Sequence, residues 1–222
     1  NEALLHGGIA NQLKVNLHYV DSELLTEKNV LSQLKKMDGV LVAPGFGERG
    51  TEGKIAAIKI ARTKNIPFFG ICLGMQSAVI EFAKNVLGYT DANSTEMNKD
   101  TSTPVIDLME EQKNIIQKGG TMRLGSYSCS LSKESNAINS YGETEINERH
   151  RHRFEFNNKY LSEFEKKGMI ATGKNKKTNL VEIVEIPKHP WFVGVQFHPE
   201  YKSTVSTPHP LFVGFIKACI SK

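Results

Sequence analysis

Gly70-Ile71-Cys72-Leu73-Gly74-Met75-Gln76 stands between a short apolar run, Ile66-Pro67-Phe68-Phe69, and a segment whose apolar residues (Ala78, Val79, Phe82, Ala83, Val86) recur at helical spacing. The first run reads as a buried strand and the second as a helix. Cys72 therefore sits where a strand turns sharply into a helix, flanked by glycines that let the backbone fold back and push the side chain out of the sheet. A thiol at a helix N-terminus feels the positive end of the dipole, which favours the thiolate. A packed core cysteine is the alternative reading, since free cysteines are among the most buried residues.

Outward from this elbow the chain keeps an α/β rhythm. Residues 1–10 read as the end of a helix closed by Gly7-Gly8. Lys14 to Val20 alternates polar and apolar residues, as a strand does, and a helical stretch with Val30, Leu31 and Leu34 follows the cap candidates Asp21 and Ser22. Gly39 to Ala43 is almost wholly apolar, the pattern of a strand covered on both faces. It ends in the turn Pro44-Gly45-Phe46-Gly47-Glu48-Arg49-Gly50, and a helix from about Glu52 to Asn65 turns Ile55, Ile58 and Ala61 inward. Ligands in such sheets bind at the carboxyl ends of strands, where both glycine-rich turns lie. The pattern breaks from Asp91 to Gly120, which reads as a mobile surface excursion with only Val105 to Leu108 strand-like. Beyond it we expect a strand over 121–131, a short helix over 158–167, and strands at Met169–Thr172, Leu180–Ile186 and Phe192–Phe197. These make an antiparallel hairpin region, and a closing helix starts at about Pro210.

Composition sets the bounds. A chain of 222 residues, 39% hydrophobic and 23% charged, suits one soluble domain with a real core. A net charge of +4 without a basic, aromatic-interleaved stripe gives no reason to expect nucleic acid. The cluster Lys174, Lys176, Lys177 reads as a solvated turn. Three irregularly spaced cysteines form neither a disulfide frame nor a zinc site, which points to a reducing, cytoplasmic compartment. No apolar run is long enough to span a membrane.

A cysteine nucleophile needs a base and the base needs an orienting partner. Of seven histidines, His6, His18, His189 and His209 lie in ordinary contexts. His150 and His152 sit among arginines, which disfavours imidazole protonation and suits anion binding better than base work. His198 closes the apolar strand Val193 to Phe197, Pro199 stiffens the backbone behind it, and Glu200 can hold its imidazole in one tautomer. The unit implied is Cys72–His198–Glu200, for acyl transfer. The backbone amides of Leu73 and Gly45 are the candidate donors to a tetrahedral oxyanion.

Together these residues resemble the class I (triad-type) glutamine amidotransferases, and within them the glutaminase domains of the CTP synthases. Gly70 to Gln76, Asp91-Ala92-Asn93-Ser94-Thr95-Glu96, Gly119 to Gly125, Glu148 to Glu155 and Gly194 to Glu200 carry the resemblance, which covers nearly the whole chain. It implies a three-layer, flavodoxin-like α/β fold with a mostly parallel central sheet and helices on both faces. It implies hydrolysis of L-glutamine by Cys72, His198 and Glu200. Gly45 and Leu73 hold the oxyanion, Gln76, Glu96 and Arg153 recognise the substrate, and Gly74 and Met75 are counted with that set. It implies no cofactor or metal in this domain. ATP, magnesium and the activator GTP belong to a larger enzyme, a homo-oligomer whose separate synthase domain aminates UTP to CTP.

Residues 1–222 are expected to be a single glutaminase domain, a fragment without that synthase domain. Two departures stand out. The family turn reads Pro-Gly-Gly-Phe-Gly, where this chain has Ala43-Pro44-Gly45-Phe46-Gly47 and Pro44 lacks an N–H. The family's first core strand would precede Asn1. Another triad amidotransferase, a γ-glutamyl hydrolase, or a non-catalytic binding module on the same fold are the competing readings.

Overall fold

The computed structural model describes residues 1–108 and 122–221. In chain order the elements are α1 (Glu2–Ala10), α2 (Val30–Leu34), β1 (Val40–Val42), α3 (Thr51–Thr63), β2 (Phe68–Ile71), α4 (Leu73–Phe82), β3 (Ala92–Ser94) and β4 (Thr103–Leu108). Then come β5 (Arg123–Leu131), α5 (Asn136–Tyr141), β6 (Glu145–His152), β7 (Phe154–Phe156), α6 (Leu161–Lys167), β8 (Ile170–Lys174), β9 (Val181–Glu185), β10 (Phe192–Val195) and α7 (Pro210–Ile220).

Seven strands form one sheet in the order β1-β2-β10-β9-β8-β5-β6. The α/β architecture matches the expectation, but the sheet is mixed. β1–β2 and β2–β10 pair in parallel, whereas β10–β9, β9–β8, β8–β5 and β5–β6 pair antiparallel. The antiparallel hairpins thus extend the central sheet itself. Successive residues of the central strands feed two cores. Phe68 and Phe192 pack with α2, α3 and α4 on one face. Phe69, Ile71, Val193 and Val195 pack with α1, α5 and α7 on the other. This is a three-layer sandwich, and the period-2 alternation of side chains produces it.

Several expectations change. Helix α1 is not closed by Gly7-Gly8 but runs through them to Ala10. These glycines serve packing: a Cβ on Gly7 would lie 2.7 Å from the Phe212 carbonyl oxygen, and one on Gly8 would lie 2.5 Å from Val15 Cγ2. Lys14 to Val20 keeps its alternation only as far as Leu17, with Val15 and Leu17 half-buried between exposed neighbours and Tyr19 exposed, and it joins no ladder among the described residues. Alternation reports a half-buried extended chain, and a strand also needs a partner. Part of the stretch after the elbow helix forms regular structure. β3, β4 and β7 form a second, three-stranded sheet, and Val105 and Ile106 are fully buried. The polar run 111–119 and Gly119 to Thr121 of the motif lie outside the described residues. Helix α5, which polar residues dominate, escaped the sequence reading; its N-terminus is capped by the Ser135 side chain, which accepts from the Ile138 amide.

Candidate active site

The elbow is built as the sequence implies, and its glycines are required by contact. A Cβ on Gly74 would lie 2.2 Å from the carbonyl oxygen of Val42 in β1. One on Gly70 would lie 2.7 Å from the Gly74 carbonyl carbon. Helix α4 can therefore start directly against two strand ends only with hydrogen at both positions. Cys72, between them, takes φ 52° and ψ −104°, a backbone conformation that L residues rarely adopt. Its amide donates to the carbonyl of Val195 at 2.7 Å, so β2 and β10 stay paired to their tips.

That pairing brings His198 to the same end of the sheet. His198 Nδ1 and Glu200 Oε1 are 2.6 Å apart. A carboxylate accepts, so the proton sits on Nδ1 and Nε2 carries the lone pair. Nε2 is buried and has no hydrogen-bond partner. Tyr201 stacks on the imidazole with ring centroids 5.1 Å apart and holds its plane.

Cys72 opens on a narrow cavity lined by Gly45, Phe46, Cys72, Gln76, Glu96, His152, Arg153 and Phe154. It has room for about one water, about 10 Å³. Of the expected substrate-binding residues, Gly45, Gln76, Glu96 and Arg153 meet there. Gly74 and Met75 do not line it. Gly74 is pressed against β1, and the Met75 side chain is fully buried in the core. A Cβ on Gly45 would meet only the end of the Leu73 side chain, at 3.1 Å, so close backbone approach accounts for that glycine only in part. Glu96 accepts from the Gly47 amide at 3.3 Å. Burial raises its carboxyl pKa, while that amide and the Arg153 cation act in the opposite sense.

The electrostatics at Cys72 run against the expectation of a ready thiolate. Burial pushes its pKa up to about 12; the Leu73 amide at the sulfur lowers it, and the carboxylates of Glu200, Glu96 and Glu155 raise it further. Desolvation outweighs the helix terminus here. The resting group is a thiol, so a nucleophilic role would require a base beside it.

His150 and His152 are not an anion site. β6 alternates so that Arg149 and Arg151 point outward while both imidazoles are buried. Burial first, then Arg123, lowers His150 to about 2 and His152 to about 3, so both are neutral. Behind them Arg123 bridges Glu155 at 3.0 Å and Glu182 at 2.8 Å.

Two cavity-side residues escaped the sequence reading: His152, and Gln196, whose side chain reaches Cys72 Sγ at 3.7 Å. A polar residue inside the apolar run Val193 to Phe197 was the available signal for Gln196.

Among the described residues no cluster of His, Cys, Asp or Glu could hold a metal ion, and no helix is long and apolar enough to cross a membrane.

Comparison with known proteins identifies the family. The chain is 64% identical over 218 residues to the CTP synthase of Cytophaga hutchinsonii, covering 98% of this chain and 40% of that protein. It is 60% identical over 225 residues to that of Bdellovibrio bacteriovorus, covering 100% and 42%. The chain thus spans about two fifths of the length of these curated relatives. Among solved structures, the glutaminase domain of Trypanosoma brucei CTPS with bound acivicin superposes with a TM-score of 0.92 at 38% identity, covering 99% of this chain and 86% of that one. The family model described as glutamine amidotransferase class-I matches residues 1–218, nearly the whole chain: this chain belongs to the class I glutamine amidotransferases.

Proposed function

We propose that the chain is the glutaminase domain of a CTP synthase and that Cys72 is its nucleophile. His198 Nε2 takes the thiol proton as Cys72 Sγ attacks the side-chain carbonyl carbon of L-glutamine. The tetrahedral oxyanion is held by the amides of Leu73 and Gly45. As the intermediate collapses, His198 returns the proton to the leaving nitrogen, and ammonia departs from the γ-glutamyl thioester. Water, deprotonated by His198, then releases glutamate, and the proton goes back to sulfur. Glu200 holds His198 in the Nδ1–H tautomer and stabilises the imidazolium.

Glu96 takes the substrate ammonium and Arg153 its α-carboxylate, with Gln76 completing the wall. Gly47 and Gly50 of the 44–50 turn sit at positive φ, which glycine adopts without the steric cost of a Cβ. Pro44 removes one potential donor, and the Gly45 amide remains.

The observation that carries this reading is His198 itself: one nitrogen bound to a carboxylate, the other buried and unpartnered, at the tip of the strand hydrogen-bonded to the nucleophile's strand. The chain spans only about two fifths of relatives named CTP synthase, which supports a separate synthase domain as its partner. In that domain ATP and magnesium would drive amination of UTP by the released ammonia, with GTP as activator and a homo-oligomer as the working unit in the cytoplasm.

The test is treatment with a glutamine-analogue electrophile followed by mass spectrometry, alongside a glutaminase assay. Modification confined to Cys72 with loss of glutamate release is the expected result. A protein that releases glutamate with Cys72 unmodified would refute it.

A further inference from the structure

A chain of buried amide hydrogen bonds ends on the nucleophile. The Phe154 carbonyl oxygen can only accept, so the Gln76 side-chain atom 3.1 Å from it must be Nε2. The same Nε2 lies 3.2 Å from the Gln196 carboxamide, so the Gln196 atom facing it must be the acceptor, Oε1. That leaves the Gln196 amide nitrogen pointing the other way, where it lies 3.7 Å from Cys72 Sγ. One backbone carbonyl thus sets the orientation of two glutamine side chains and aims an N–H at the sulfur. His152 Nδ1, 3.2 Å from the same carbonyl, pins that carbonyl from a second side. Gln196 is fully buried, and its backbone amide donates to the Glu182 carbonyl at 2.8 Å, so the side chain has a fixed base.

We infer that Gln196 is a further catalytic residue, whose side-chain N–H stabilises the Cys72 thiolate when the proton leaves for His198. A donor bonds a charged acceptor more strongly than a neutral one, so it stabilises the thiolate more than the thiol. Few other groups do this here. The sulfur is desolvated and faces carboxylates, and the Leu73 amide that also reaches it is the one assigned to the oxyanion. In the transition state Gln196 would then be the donor left on sulfur. It also keeps the sulfur aimed, because its own rotamer is locked at both ends.

This rests on the reading of Cys72 as a glutaminase nucleophile, but it is tested without glutamine. Iodoacetamide alkylation of Cys72, followed by mass spectrometry of its peptide across pH, reports the thiolate directly. Gln196→Met keeps the length and volume of the side chain without the donor. The expected result is an alkylation profile displaced by about one pH unit to higher pH, about tenfold slower at any pH below the plateau. Glutamate release should fall in kcat with KM for glutamine within about twofold. An alkylation profile identical to the parent's would overturn the proposal.

If Gln196→Met shows no cooperative melt, Gln76→Met replaces it. That change unlocks the Gln196 carboxamide and should displace the alkylation profile in the same direction by a smaller amount; no displacement overturns the proposal. If the parent protein hydrolyses no glutamine, the glutaminase reading fails, while the alkylation comparison still decides the role of Gln196 at the sulfur.

Discussion

The backbone of Cys72 is hydrogen-bonded to that of Val195, amide to carbonyl at 2.7 Å, joining two strands that are far apart in the chain. This bond extends the β2–β10 ladder, in which Ile71 pairs with Val195, one residue beyond its regular end. The elbow and the His-Pro-Glu turn are thereby parts of one rigid strand end. A site held on paired strands keeps its geometry better than one held on loops alone.

Removing the sulfur should abolish hydrolysis and leave the fold intact. Cys72→Ala is expected to lower glutamine hydrolysis by about four orders of magnitude or more. Ammonia-dependent CTP formation by the full-length enzyme should persist. A steady-state assay with glutamine and with ammonium chloride in parallel measures both, and loss of the ammonia reaction in a folded variant would contradict the assignment.

Gly74→Ala should be far more damaging than its single methyl suggests. The new Cβ would meet the backbone oxygen of Val42 at 2.2 Å, and neither partner is a flexible side-chain end. Overpacking of this kind costs about 1–3 kcal/mol or more. Urea unfolding should show the loss, and a variant as stable as the parent would mean that α4 can move off β1.

Glu96 is expected to act in binding. Glu96→Gln keeps the acceptor for the Gly47 amide but removes the charge that would face the substrate ammonium. KM for glutamine should rise about tenfold or more with a smaller change in kcat. A loss confined to kcat would place the residue in the chemistry instead.

Arg62 and Glu81 form a two-pronged pair, 2.8 and 2.7 Å, that ties α3 to α4 behind the elbow. Glu81 is fully buried, so Arg62→Ala strands a charge without its partner. A cost of about 3–5 kcal/mol follows, read as a lower urea midpoint. A change below about 1 kcal/mol would mean that water or another cation replaces the guanidinium.

The buried imidazoles predict an acid-sensitive fold. His150 and His152 have folded pKa values of about 2 and about 3, below the ordinary 6.5. Between these limits the unfolded chain binds more protons, so stability is present above pH 6.5 and is lost as the pH falls. The slope is about 1.4 kcal/mol per pH unit for each ring. Glu155 and Glu182, raised by burial, work in the opposite sense, since the folded chain takes up their protons first as pH drops. Comparing the parent with His152→Asn removes one ring and frees the other of its 2.8 Å partner. From pH 6.5 to 4.5 the parent's unfolding free energy should fall more steeply than the variant's by about that slope, and parallel curves would show that His152 takes up protons while folded.

Much of the fold was legible because its signals are local. The apolar runs at 39–43, 66–69 and 192–197, the glycine-flanked cysteine, and the inward face of Ile55, Ile58 and Ala61 each specify an element within a few residues. The failures share a cause as well. Lys14 to Val20 alternates like a strand but joins no ladder among the described residues, and the polar, irregular-looking stretch before Val105 contributes Thr103 and Pro104 to β4 only because β3 and β7 flank that strand. Partners are set by the rest of the chain.

The sequence by itself determined the elbow at Cys72, the pairing of His198 with Glu200, and the α/β order of the elements, since each depends on covalent neighbours and periodicity. Only the tertiary structure decided the mixed sheet, the protonation of the cysteine, the inward turn of His150 and His152, and the amide chain from Phe154 through Gln76 and Gln196 to the sulfur. Those depend on burial and on hydrogen-bond geometry between distant segments, because desolvation and donor direction are properties of a packed environment that no single stretch of sequence contains.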